Sequence, residues 1–120
     1  MAGLVRKSFE APEEVRPFED GKGRLELVNV GGGQVGRATF EPGWKWSEHV
    51  KPIAQTDSCL AAHAGYVVSG RMKVVMNDGQ EEDFGPGDYM NVAPGHDAWV
   101  LGDDPCVVID WMGFTDYAKR

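Results

Sequence analysis

Three imidazoles and one thiol are the groups best suited to chemistry in this chain: His49, His63, His96 and Cys59. Imidazole is the commonest metal ligand at neutral pH. Three nitrogens that leave one coordination position open form the usual catalytic metal site, because the open position is where substrate or activated water goes. All three histidines fall in or beside predicted strands, so a fold that converges those strands places them around a divalent transition metal in its interior. Nitrogen ligation of this kind suits Zn, Fe, Ni, Mn or Cu, and affinity alone does not select among them. The competing reading has the same histidines hydrogen-bonding a small-molecule ligand without metal, in a binding or sensory module. A third has them as satisfied polar residues of a packed interaction module.

Cys59 precedes His63 by four residues, so in an unbroken strand the two share a face. A thiolate beside an imidazole serves either as an additional ligand or as half of a nucleophilic pair. Cys59 and Cys106 are otherwise small buried hydrophobes, and two cysteines are too few for a disulfide framework. No CxxC, HExxH, GxSxG or phosphate-loop motif occurs. Trp46 and Trp99 flank His49 and His96 by three residues each and are candidate pocket walls, with Gln55 and Tyr66, while Trp111 reads as core. Asp110 interrupts the apolar run CVVIDWM, and a buried carboxylate there implies a partner such as Arg37 or Arg71.

The elements that position these groups are short. RLELVNV (24 to 30) and QVGRATF (34 to 40) alternate as strands around a Gly31-Gly32-Gly33 turn. WKWSEHV (44 to 50) reads as a third strand after Pro42-Gly43, with a loop at 51 to 58 and a mostly apolar segment at 59 to 70. A hairpin over 71 to 84 turns on Asp78-Gly79, and strands at 89 to 92, 97 to 101 and 106 to 112 follow Gly/Pro turns. Strands at intervals of about 8 to 12 residues with no periodic helix indicate an all-β sandwich or barrel. Residues 1 to 23 read as an N-terminal arm, 24 to 112 as the domain and 113 to 120 as a tail with at most one helical turn.

At 120 residues and 42% hydrophobic content the chain is long and apolar enough for one core. Twelve basic against nineteen acidic residues give a net charge of −7, which disfavours nucleic acid and anionic membranes as partners. No run approaches the roughly 20 apolar residues of a membrane span, and the acidic N-terminus lacks signal-peptide character, so a cytoplasmic location is expected.

The stretch AGYVVSGRMKVVMNDGQEEDFGPGDYMNVAPGHDAWV (64 to 100) resembles the cupin superfamily, specifically its small single-domain conserved barrels. YVVSG (66 to 70), Gly87-Asp88 and the Pro94-Gly95 turn carry the likeness, which extends over residues 36 to 112. The resemblance implies a cupin-type double-stranded β-helix (jelly-roll) barrel, a site inside it, a small-molecule ligand and homodimerisation through edge strands. Many such proteins are metal-dependent dioxygenases, isomerases or decarboxylases, and others are binding domains. The ligand pattern departs from the family's. His63 stands seven residues before Gly70, in the place of the family's Glu, and the paired histidines before it are absent. His96 lies two residues before the second-motif position, which here is Ala98, and two residues along a strand preserve the facing side.

Overall fold

The computed structural model describes residues 3 to 112 and 117 to 120. Nine strands dominate it: β1 Glu14–Pro17, β2 Gly23–Asn29, β3 Gln34–Phe40, β4 His63–Ser69, β5 Arg71–Met76, β6 Glu81–Phe84, β7 Tyr89–Val92, β8 His96–Leu101 and β9 Cys106–Asp110. Two single helical turns, α1 Trp46–His49 and α2 Lys51–Ala54, interrupt them. Among the described residues no helix is long and apolar enough to cross a membrane.

The strands form two antiparallel sheets. The larger runs in the order β1-β2-β3-β9-β4-β7 and the smaller in the order β6-β5-β8. Alternation puts Leu25, Leu27, Ala38, Phe40, Val67 and Val108 inward from the large sheet, facing Met72, Val74, Ala98 and Val100 from the small one. Fully burying a side chain such as Leu27 or Val67 stabilises by about 1.5–3 kcal/mol. An aromatic cluster closes one end, with Phe18 and Phe40 stacked at 5.4 Å and Trp44 tilted onto Phe40 at 4.4 Å.

The expected closed jelly-roll barrel is not formed. Both sheets are open, with edges at β1 and β7 in one and β6 and β8 in the other. The reason lies in residues 44 to 50, which do not make the expected strand. Lys45 is extended and forms a one-residue bridge to Trp99, and the chain then turns helical at Trp46. The Asp97 carboxylate holds that turn by accepting from Ser47 N–H at 3.1 Å. Pro52, which has no N–H, lies in the next turn. Among the described residues, the segment that would close the gap beside β8 therefore contributes only the Lys45–Trp99 and Cys59–His96 bridges to the ladder.

The sequence also leaves Glu14–Pro17 in an arm, yet these residues pair with β2 as an edge strand. At the other end, residues 117 to 120 lie against that edge. Arg16 donates to the Tyr117 carbonyl at 2.9 Å, and Arg120 donates to the Pro17 carbonyl at 3.0 Å. Residues 113 to 116 of the expected tail lie outside the described residues.

The passage from the large sheet to the small one is made at Gly70. Its φ is +75°, and a Cβ there would meet the Pro105 carbonyl oxygen at 2.2 Å. Gly79, in the β5–β6 turn, also has positive φ, at +94°, but faces open space. Gly79→Ala should therefore cost about 1 kcal/mol from backbone strain alone, and Gly70→Ala about 2–4 kcal/mol from strain plus collision. Denaturant unfolding of the two variants checks the difference; equal losses would contradict the tight strand crossing at Gly70.

Candidate metal centre

The gap between the sheets is where the reactive side chains gather. Cys59 and His96 sit side by side in an antiparallel bridge, Cys59 N–H donating to the His96 carbonyl at 2.8 Å. Side chains of such a pair project to the same side. His63 opens β4 in the other sheet. One donor atom from each of Cys59, His63 and His96 lies within 4.8 Å of the others.

Each imidazole is oriented from behind. His63 Nδ1 lies 2.8 Å from Asp110 Oδ2, and His96 Nδ1 lies 2.8 Å from the Ala93 carbonyl oxygen. Both acceptors call for a proton on Nδ1, which leaves Nε2 as the nitrogen available for coordination. His63 Nε2 lies 3.7 Å from Cys59 Sγ. Donors at Zn–S and Zn–N bond lengths in a tetrahedron stand about 3.6 Å apart, so the separation matches a shared ion.

The Asp110–His63 contact spans the β4–β9 ladder. Asp110 is in register with Gly65, two residues along β4 from His63 and on the same face. The two strands run close at position 65, where a Cβ would meet the Ile109 carbonyl oxygen at 2.3 Å, and the Asp110 carboxylate reaches diagonally to the imidazole. Its other oxygen accepts from Ala64 N–H at 3.4 Å and Met112 N–H at 3.1 Å. The buried carboxylate's partner is thus His63 rather than either arginine expected from sequence.

Burial pushes the Cys59 thiol up, but hydrogen bonds from His63 and His96 and their charges outweigh it, bringing the pKa down to about 6. For His63, burial disfavours the charged form, while the hydrogen bond to Asp110, then that to Cys59, and both charges raise its pKa to about 9. Without metal, the pair is a thiolate beside an imidazolium across the neutral range. Cys106 differs: burial alone lifts it to about 12, the behaviour of an inert core thiol.

His49, expected as the third nitrogen, is placed elsewhere. Its Nδ1 accepts from Lys45 N–H at 3.0 Å, stabilising its own helical turn, and its Nε2 faces Asp20 at 3.9 Å. The third donor of the group is the Cys59 thiol. Of the expected pocket residues, Trp46 is buried against the site and lines cavities on both sides of it. Gln55 is exposed at the left-handed end of α2, and Tyr66 is exposed on the outer face of β4. Trp99 turns outward, under the Lys45 ammonium at 5.2 Å from its ring centre.

Tyr117 is the site residue that sequence reasoning missed. Its ring meets His63 edge-on at 5.2 Å, and burial, together with the negative charges of Cys59 and Asp110, raises its phenol well above the usual range. It therefore stays a neutral O–H. A terminal Tyr preceded by Gly, Phe, Thr and Asp carries no motif that points to this role. Tyr117 and Trp46 border both an inner cavity of about 50 Å³, which His63, His96 and Asp110 line, and an outer one of about 520 Å³, which Cys59 lines.

No family model and no curated protein matches the chain. Solved structures do. KdgF from Halomonas sp. is 20% identical over 96% of this chain and 97% of its own, with a TM-score of 0.61. A protein of unknown function from Acinetobacter sp. ADP1 is 11% identical over 83% of this chain and 90% of its own, with a TM-score of 0.60. An oxalate decarboxylase is 23% identical over 81% of this chain but only 27% of its own, with a TM-score of 0.53. At these identities the likeness shows a shared fold and no particular family.

The Cys59–His63 pair sets the pH behaviour of the metal-free protein. The folded thiol pKa lies below its ordinary 9.0, so its contribution to stability is full above 9 and lost as pH falls through about 6. The folded imidazole pKa lies above its ordinary 6.5, so its contribution is full below 6.5 and lost as pH rises through about 9. Between about 6.5 and 9 the rising thiol contribution and the falling imidazole contribution offset each other, because the folded and unfolded pairs bind the same number of protons, so this pair leaves stability nearly flat there. Far-ultraviolet thiolate absorbance should titrate near 6, and His63→Gln should shift that midpoint upward; an unchanged midpoint would contradict the pairing.

Proposed function

We propose that Cys59, His63 and His96 hold one divalent transition metal and leave a coordination position for a small organic molecule, which the protein binds or transforms. The observation that supports this most is the pair of Nδ1 hydrogen bonds, to Asp110 and to the Ala93 carbonyl, which leave both Nε2 atoms for coordination beside one thiolate. A carboxylate behind a ligating histidine is the common way a protein fixes ring orientation and raises ligand basicity. A thiolate with two imidazoles suits Zn, Cu or Ni better than Mn.

When bound, such an ion supplies Lewis acidity toward a substrate oxygen or lowers the pKa of a bound water. The chain's own residues do the remaining work. Asp110 holds the His63 proton at Nδ1, Trp46 and the apolar walls exclude water, and the neutral Tyr117 hydroxyl provides a donor next to the centre. Metal competes with the proton that His63 Nε2 carries in the metal-free pair, so uptake at neutral pH should release about one proton from that pair.

A metal-free binding module is the second reading, favoured by the Asp110–His63–Cys59 chain being complete as an ion-paired array on its own. Elemental analysis separates the two. Tag-free protein loaded with zinc should carry about one ion per chain, and Cys59→Ala, His63→Ala and His96→Ala should each fall to background. His49→Gln should retain the ion, whereas Asp110→Asn should weaken binding roughly 10- to 100-fold. Full retention by His63→Ala, or no uptake of Zn, Ni, Fe(II) or Cu by the unaltered chain, would overturn the metal reading.

A further inference from the structure

The donors of the proposed centre form a partition between two cavities of unequal size. His63 and His96 border the inner one, whose about 50 Å³ admits a few water molecules at most. Cys59 borders the outer one, whose about 520 Å³ falls in the range of small-molecule sites, roughly 300–1,000 Å³. An organic ligand therefore has room only on the thiolate side.

The walls of the outer cavity state what that ligand is. Trp46, Val50, Ile53 and Leu60 provide an apolar surface, and Tyr117 borders the side toward His63. Thr56 contributes a hydroxyl, but its proton is already donated to the Ser58 carbonyl at 2.8 Å. Among the described residues that line the cavity, Lys119 is the one that bears a full positive charge. Its charge reaches Glu14, whose carboxylate takes its hydrogen bond from Arg16 at 2.7 Å, and among the described residues no salt bridge within 4.0 Å is made by the ammonium. The Cys59 thiolate that also borders the chamber is offset by the His63 imidazolium behind it, which leaves the Lys119 ammonium as the net charge beside an apolar chamber and favours a negative group.

We infer that the outer cavity is the substrate compartment and takes a small monoanionic molecule with an apolar body, a hydrophobic carboxylate, whose charge meets Lys119 and whose body lies against Trp46 and Ile53. The inference rests on the metal reading for the orientation of the ligand toward Cys59, but the cavity itself does not need the ion. Tyr117 then separates the bound molecule from the inner chamber.

Phenylacetate and phenethylamine, similar in shape and opposite in charge, are suitable probes, with Trp fluorescence in metal-free protein as one readout. Cobalt-loaded protein gives the other, through the thiolate-to-metal absorption. Phenylacetate should bind saturably and about tenfold or more tighter than phenethylamine. Lys119→Glu, a change at an exposed position, should abolish that preference, and Ile53→Trp should block binding by filling the chamber. Binding in both forms, with the cobalt spectrum perturbed only by the carboxylate, is the expected result. Equal binding of the amine, an unchanged preference in Lys119→Glu, or no saturable binding of phenylacetate would overturn the compartment. Loss of the cobalt–thiolate absorption with phenylacetate still bound to metal-free protein would count against the metal reading and leave the compartment standing.

Discussion

The hydrogen bond between His63 Nδ1 and Asp110 Oδ2 governs the chemistry of the whole seam. It fixes which nitrogen of His63 faces Cys59, raises the basicity of that ring and, through it, lowers the thiol next to it. It also explains an otherwise odd feature of the sequence: a carboxylate in an apolar strand would be costly if unpaired, and Asp110 is paired through His63.

The open architecture matters as much. Because residues 46 to 54 form two helical turns instead of a strand, β8 is flanked by isolated bridges to Lys45 and Cys59 rather than by a continuous strand. One of those bridges carries Cys59 alongside His96, and His63 arrives from the opposite sheet. The site is thus built at a discontinuity in the hydrogen-bond ladder, where side chains from both layers converge and where the outer cavity gives access.

Much of the strand layout was legible in the sequence because turn chemistry and alternation agree there. QVGRATF, the Asp78-Gly79 hairpin and the strand at 89 to 92 lie where the pattern puts them. Residues 44 to 50 read as a strand because Trp44, Trp46 and the polar positions between them mimic strand alternation, while the deciding interaction, Asp97 on Ser47 N–H, is 50 residues distant. The strand reading places His49 in the expected ligand set, while Trp99 enters the expected pocket through its three-residue spacing from His96. His63, His96 and Cys59 could be singled out by residue type, but the partner of Asp110 could not, since strand register across β4 and β9 fixes it. Tyr117 was invisible for the same reason: its place depends on Arg16 and Arg120 anchoring the chain end to β1 and the turn after it.

The centre's most unusual feature is its sulfur donor, and X-ray absorption at the zinc edge reads that directly. The zinc-loaded chain should show one sulfur at about 2.3 Å together with nitrogen donors at about 2.0–2.1 Å. A shell made only of nitrogen and oxygen would contradict the assignment of Cys59, and with it the placement of the ion at the junction of the two sheets.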